Sequence, residues 1–271
     1  WGNYVLIRLD QAVGWVLLAH LRQGSVAVKP GARVELGSHL GTVGSSGRSP
    51  VPHLHLHVQK SPLLGSPTMP FRLANFLSTV DPSRQLSEWN SANLPAEGEI
   101  ISLAQCNLDV HTVLASLAPG RAVWTVEMAG RIPAGFGWPR SGATSVTSVT
   151  LAEAGRHVFG DGRGGVLTAS LDSDAWRAIE LQPGKSMLLP LLALVAPSIP
   201  YAAAPGMTWT EPVPITPLGG LRWAGLALAP YLTAPFPYMR CRCVAVPEGQ
   251  TGTLIVEAVP ESMDLKVTVL R

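Results

Sequence analysis

The chain has 271 residues, of which 27 are glycine and 24 are proline, while Asp, Glu, Lys and Arg together make up only 14%. This length allows two domains, and the frequent glycine and proline favour a β-rich protein over a helical one. The net charge of +2 is too small to predict a nucleic-acid partner, and the sequence contains no Lys/Arg cluster with interleaved aromatic residues.

Two runs near the start have the composition of β-strands, residues 3–9 and residues 14–20. The short link between them predicts a hairpin whose second strand ends at His20. Residues 26–44 follow, in which repeated glycines and the Pro30-Gly31 pair predict short strands separated by turns. The first part of the chain is therefore expected to form a compact β-sandwich or hammerhead.

The stretch from Pro52 to Val58 reads Pro-His-Leu-His-Leu-His-Val, with a histidine at every second position. In a β-strand, alternate residues project from the same face, so His53, His55 and His57 should share one face. Same-face neighbours stand roughly 6.5–7 Å apart along a strand, which suits one imidazole on a metal ion and another beside a substrate. An exposed polar face on an ordinary amphipathic strand is the alternative.

Residues 81–99 are polar, lack an apolar period and carry two prolines, which predicts a linker. From residue 100 onward, strand-like runs again alternate with turns. We therefore predict an all-β protein with a first domain at residues 1–80, a linker at 81–99 and a second β-rich domain of unknown topology at 100–271.

Two further segments imitate functional motifs without their usual context. Residues 160–165 have the glycine spacing of a dinucleotide-binding loop, but a strand-like run follows where that loop needs a helix, so a hairpin turn is predicted. Residues 186–210 contain no Asp, Glu, Lys or Arg, yet prolines interrupt them repeatedly. A buried segment is therefore favoured over a membrane span.

The three cysteines are Cys106, Cys241 and Cys243. Cys241 and Cys243 would point the same way from a strand and are poorly placed to bond each other, although one of them could pair with Cys106 in an oxidising compartment. A lone Cys-x-Cys pair is weak evidence for structural zinc, and buried thiols are the favoured interpretation.

Several short motifs occur in a fixed order: Gly2-Asn3-Tyr4-Val5, Ala19-His20-Leu21, the segment from Val28 to Gly37, the segment from Gly44 to Gly47 that leads into Arg48-Ser49, and Pro52-His53-Leu54-His55. With them, residues 1–80 resemble the lysostaphin-type zinc endopeptidases, which are bacterial cell-wall hydrolases with the duplicated-hybrid-motif β-fold. The resemblance implies a zinc cofactor, peptidoglycan peptides as the substrate, and a location in the cell envelope, either periplasmic or extracellular.

Position by position, the resemblance implies that His55 is a zinc ligand. It implies that His53 and His20 are the catalytic pair that orients or deprotonates the attacking water and stabilises the tetrahedral intermediate. His57 stands where the family often carries an acidic or small residue. We predict that His57 faces solvent, with a supporting contact to the site as the alternative.

The family's other two zinc ligands come from an upstream His-x-x-x-Asp segment that has no counterpart in this chain. We therefore expect those ligands to lie upstream of Trp1, and residues 1–271 alone to bind zinc poorly and hydrolyse little. Two hypotheses follow. The first is a zinc-dependent endopeptidase that cleaves peptide cross-links of peptidoglycan, and the second is a catalytically degenerate module that binds the wall or regulates a partner hydrolase.

Overall fold

The computed structural model describes part of the chain, which divides into two compact units, Trp1–Arg72 and Leu73–Arg271. The described residues are 1–10, 14–79, 83, 87–115, 124–130, 143–146, 148–152, 155–182, 184–185, 188–195, 197–212, 238–246, 254–260 and 265–270.

The first unit contains one antiparallel sheet in its described residues. Its strands, in spatial as well as chain order, are β1 (Asn3–Arg8), β2 (Trp15–Leu21), β3 (His55–Gln59) and β4 (Thr68–Met69). The alternation in β2 buries Leu17, Ala19 and Leu21. Ala19 lies opposite His55 in the register of β2 and β3, so the predicted hairpin and the predicted histidine strand belong to the same sheet.

The segment between β2 and β3, residues 22–54, differs from its prediction of several short strands. It forms turns and loops with two isolated bridges, one from Val43 to Leu21 at the end of β2 and one within the segment between Gly44 and His53. The backbone hydrogen bonds from Arg22 to Thr42 (2.8 Å) and from Ala27 to Leu40 (2.9 Å) are too far apart to form a continuous ladder. Frequent turns therefore interrupt pairing before strands can extend.

The second unit contains fourteen strands and two helices in its described part. They are β5 (Leu73–Thr79), β6 (Glu88–Asn93), β7 (Ile100–Leu103), α1 (Leu108–Ala115), β8 (Trp124–Gly130), β9 (Ala143–Val146), β10 (Ser148–Ala152), β11 (Arg156–Gly160), β12 (Val166–Leu171), β13 (Ala175–Gln182), α2 (Leu188–Val195), β14 (Ser198–Pro200), β15 (Thr208–Pro212), β16 (Tyr238–Ala245), β17 (Ile255–Pro260) and β18 (Leu265–Leu270).

These strands form two sheets, one ordered β10-β11-β12-β13-β14 and the other β7-β5-β6-β15-β16-β17-β18-β8-β9. A buried cluster with large aromatic side chains stabilises the unit, and its largest fully buried members are Trp176, Trp209, Tyr201 and Phe159. The all-β prediction is confirmed: strands dominate both units, and the two helices of the described residues have eight residues each.

The predicted linker at 81–99 includes a paired strand. Strand β6 pairs antiparallel with β5 and parallel with β15, where Glu88 lies opposite Thr208. Its sequence lacks the alternation of a strand, but Trp89 is buried and donates its indole N–H to Asn75 at 2.9 Å. The domain limits 1–80, 81–99 and 100–271 stay a prediction.

Two other local predictions are confirmed. Residues 161–165 form the turn between β11 and β12, where the Asp161 carboxylate accepts hydrogen bonds from the backbone N–H groups of Arg163 (2.7 Å) and Gly165 (2.8 Å). The apolar segment 186–210 includes α2, whose Leu189 and Leu192 are fully buried. None of the described helices is long and apolar enough to cross a membrane.

Candidate active site

His20 lies at an irregularity in the pairing of β1 and β2. The register shifts between Asn3 and Val5, which leaves an extra residue on β2, as in a β-bulge. His20 has a φ of +63°, a left-handed conformation that is uncommon for residues other than glycine. The bulge interrupts the simple alternation of side chains, and His20 is buried, with 6% of its surface exposed.

The loop from Gly44 to Gly47 holds the ring of His20. The carbonyl oxygen of Ser46 lies 2.8 Å from His20 Nδ1, while the Ser46 hydroxyl donates to Leu21 O at 2.6 Å and accepts from the backbone N–H of Asn3 at 2.9 Å. Because a carbonyl oxygen only accepts hydrogen bonds, Nδ1 of His20 carries a hydrogen. In the neutral ring, Nε2 therefore has the free lone pair.

His53 is held in the same tautomer by a different loop. Its Nδ1 lies 2.8 Å from Val51 O and 3.1 Å from Ser49 Oγ, and the Ser49 hydroxyl itself donates to Val51 O at 2.7 Å. Nδ1 of His53 must donate, so its Nε2 also has the lone pair when the ring is neutral. The rings of His20 and His53 are 4.7 Å apart between centroids, which places the two predicted catalytic residues side by side.

His55 completes the predicted trio. Its ring centroid is 5.9 Å from that of His20 and 5.1 Å from that of His57, and its Nε2 lies 2.8 Å from His57 Nδ1. Burial lowers the pKa of His55 below its usual value, and the positive charges that His57, His20 and His53 can carry lower it further. A lowered pKa favours the neutral imidazole, which is the form that binds a metal ion.

His57 does not face solvent freely, so the favoured prediction for this residue was wrong. It is half-buried and hydrogen-bonded through both ring nitrogens, to His55 and, at 3.0 Å, to Oε1 of Gln59. Sequence analysis did not identify Gln59, although the two-residue alternation of the strand extends to it. We call His20, His53, His55 and His57 the histidine cluster.

Trp1 is a second residue that the sequence analysis did not select. Its ring lies 4.9 Å from the ring of His55 and 5.3 Å from that of His57, in edge and tilted arrangements. With 42% of its surface exposed, Trp1 covers one side of these two imidazoles while remaining accessible to a ligand. No local sequence signal identifies Trp1, because its contact with His55 joins residues 54 positions apart.

The side chains near His55 are of a type that binds zinc, but they are too few to form a complete zinc site. Imidazole nitrogens suit zinc, and His55 Nδ1 takes no part in the hydrogen bonds that hold the ring. Over the described ranges, however, no three His, Cys, Asp or Glu residues form a group that could hold a metal ion. His55 can therefore supply one ligand, and a tetrahedral site would need others.

The comparison with protein families agrees with this geometry. Residues 1–68 match Peptidase family M23. That family comprises the lysostaphin-type peptidases, so the resemblance deduced from the ordered short motifs is confirmed for this segment. The match contains the whole histidine cluster and supports a metallopeptidase-type domain with a peptide substrate. It does not extend to the second unit. Searches of curated proteins and of solved structures gave no match to the chain.

Within the M23 segment, the cluster offers two kinds of nitrogen. His20 and His53 both present Nε2 as the unprotonated atom, and their Nδ1 atoms are held by backbone carbonyls. Such a pair can accept a proton from water or, when protonated, donate a hydrogen bond to a developing negative charge. His55 is held through Nε2 instead, so the three predicted residues are not equivalent.

Proposed function

We propose that this protein is a zinc-dependent endopeptidase that cleaves peptide cross-links of bacterial peptidoglycan in the periplasmic or extracellular part of the cell envelope. The observation that carries the proposal is the grouping of His20, His53 and His55, with oriented rings, inside the segment that matches Peptidase family M23. The second unit would position the domain or bind the wall.

In this proposal His20 and His53 act on water and on the scissile peptide. One Nε2 accepts a proton from the attacking water, and the other ring, once protonated, donates to the carbonyl oxygen as negative charge develops there. Their hydrogen bonds to Ser46 O and Val51 O fix the ring orientation in advance. Zinc, held by His55 and by ligands outside the described group, would supply a Lewis acid.

The donor set also favours a second candidate function. Because the described residues form no group of three metal-binding side chains, a catalytically degenerate module would have the same local structure. Such a module would bind peptidoglycan or regulate a partner hydrolase. The exposed Trp1 beside His55 and His57 could then contact the wall peptide without hydrolysis.

The two functions can be separated with the full-length gene product. Its zinc content is measured, and the release of peptides from purified cell walls is compared for the wild type, His53→Ala and His39→Ala. His39 is exposed and outside the cluster, so its variant is the matched control. We expect bound zinc and chelator-sensitive release that His53→Ala abolishes and His39→Ala preserves. Wall binding without zinc or peptide release would instead support the degenerate module.

A further inference from the structure

The side chain of Gln59 has a defined orientation. It is fully buried in β3, and its amide nitrogen donates to the carbonyl oxygens of Ser61 (2.6 Å) and Leu63 (3.0 Å). A flipped amide would place its oxygen against two other oxygens and leave buried groups without hydrogen bonds. The carbonyl Oε1 of Gln59 must therefore face His57.

This orientation determines which nitrogens of two histidines carry hydrogens. Gln59 Oε1 lies 3.0 Å from His57 Nε2, and an amide oxygen only accepts, so His57 Nε2 is the protonated nitrogen. In the neutral ring, His57 Nδ1 then has a lone pair, and it lies 2.8 Å from His55 Nε2. His55 Nε2 must donate to it, which leaves the lone pair of His55 on Nδ1.

We propose that His57, anchored by Gln59, is a positioning residue that holds His55 in its Nε2–H tautomer and presents its Nδ1 to a zinc ion. The zinc part rests on the proposed function, whereas the hydrogen-bonded chain from Gln59 to His55 does not. His55 is thereby the opposite tautomer to His20 and His53, whose Nδ1 atoms carry the hydrogen. Strands β2 and β3 and their neighbouring loops thus give three identical side chains different roles.

The ring of His55 is restrained from two directions. The hydrogen bond to His57 fixes the Nε2 edge, and the ring of Trp1 packs against it at 4.9 Å with an interplanar angle of 71°. On the neighbouring strand, Ala19 lies opposite His55 and is fully buried, so the backbone of this position is held inside the sheet. The hydrogen-bond acceptor at position 57 therefore acts on a ring whose position is already restrained, and it selects the tautomer of that ring.

Two substitutions at position 57 separate this role from packing. His57→Phe keeps a ring but removes both nitrogens, so His55 loses its acceptor. His57→Asn places an amide oxygen close to the position of the original Nδ1 and keeps the acceptor. Both variants are compared with the wild type in the metal-free protein at mildly alkaline pH, where imidazoles are neutral.

The first readout is nitrogen NMR of the complete chain. In the wild type we expect a protonated His55 Nε2 and a scalar coupling across the hydrogen bond to His57 Nδ1. The His55 Nε2 proton should exchange with water about tenfold faster in His57→Phe and near the wild-type rate in His57→Asn. The signals of His20 and His53 report whether each variant is folded. A wild-type His55 protonated at Nδ1, or unchanged exchange in His57→Phe, would overturn the proposal.

The second readout is titration of the full-length protein with zinc alone. We expect His57→Phe to weaken binding by about 10- to 100-fold and His57→Asn to restore most of the wild-type affinity. Equal affinities in the wild type and His57→Phe would overturn the inference. A wild-type protein that shows the coupling between His55 and His57 but binds no zinc would support the positioning contact and count against the proposed function. If His57→Phe does not fold, the wild-type coupling and the His57→Asn variant still test the contact.

Discussion

The carbonyl oxygen of Ser46 and Nδ1 of His20 lie 2.8 Å apart, although the two residues are 26 positions apart in the chain. Their contact depends on a close approach of two backbone segments. Gly47, with a φ of +74°, packs so closely on Gly2 that an added Cβ would lie 2.7 Å from the Gly2 Cα. The orientation of a predicted catalytic histidine is therefore determined by glycines outside the histidine strand.

Replacing Gly47 with alanine should move the Ser46 carbonyl and destabilise the first unit. The new Cβ would overlap the backbone of Gly2, and alanine is strained at positive φ, so we expect a loss of about 1–3 kcal/mol in the free energy of unfolding. Urea unfolding measures this loss. The control is Gly24→Ala, which has a similar φ of +73° but no atom within 4 Å of its Cβ. Equal losses in the two variants would show that the close approach has no energetic importance.

Replacing His20 with asparagine should keep the hydrogen bond to Ser46 but remove the nitrogen proposed to take part in catalysis. The asparagine amide can donate to Ser46 O in place of Nδ1–H, and asparagine tolerates the left-handed backbone better than most residues. It has no counterpart of the Nε2 lone pair. We therefore expect near-wild-type stability and about a 10²- to 10⁴-fold lower rate of peptide release from cell walls by the full-length protein. A rate within a few-fold of the wild type would remove His20 from the catalytic pair.

The lowered pKa of His55 predicts a specific pH dependence. Burial is the largest cause and neighbouring histidine charges add to it, so the folded-state pKa lies below the unfolded value of 6.5. Between these two values the unfolded chain binds more protons. The resulting contribution to stability is present above pH 6.5 and is lost as the pH falls through the folded pKa. Proton NMR titrations of His55 in the native protein and in urea check the direction, which a native pKa at or above 6.5 would contradict.

Much of the strand layout can be predicted from local alternation. Strands β12 (Val166–Leu171) and β18 (Leu265–Leu270) coincide with short runs in which apolar and polar residues alternate. Strand β6 (Glu88–Asn93) could not be identified in this way. Its partners β5 and β15 supply its hydrogen bonds, and the pairing with β15 joins residues about 120 positions apart.

The histidine cluster, too, could be predicted only in part from the sequence. The order of the short motifs identified His20, His53 and His55. These motifs depend only on the spacing of residues that are close together in the sequence. The involvement of His57 depends on Gln59, whose amide is oriented by carbonyls beyond the end of the strand. The orientation of the buried Gln59 amide depends on the path of the loop that follows β3. The sequence pattern does not specify that path.

In the second unit, Arg177→Lys should cause a measurable loss of stability. The guanidinium of Arg177 donates to both carboxylate oxygens of Asp174 at 2.8 Å and to Asp172 at 2.7 Å, which an ammonium group cannot reproduce. We expect a loss of about 1 kcal/mol at neutral pH, measured by urea unfolding. Arg33→Lys is the control, because Arg33 and its partner Asp10 are largely exposed and their pair should contribute nothing measurable.

The same ion pair predicts the sign of a pH effect. The hydrogen bonds from Arg177 hold the pKa of Asp174 below its usual 3.8. This contribution to stability is present above pH 3.8 and is lost as the pH falls through the folded pKa. The stability difference between the wild type and Arg177→Lys should therefore shrink under strongly acidic conditions. A difference that grows on acidification would contradict this assignment.

The cysteines should differ sharply in their reactivity toward a thiol reagent. Cys106 is exposed, whereas Cys241 and Cys243 are buried, and burial raises the pKa of the Cys241 thiol. Since the thiolate is the reactive form, we expect rapid labelling at one site in the folded protein and at all three sites in urea. Mass spectrometry of the labelled protein counts the sites, and Cys106→Ser should abolish the rapid phase. Rapid labelling of Cys241 in the folded protein would show that β16 opens far more readily than its burial implies.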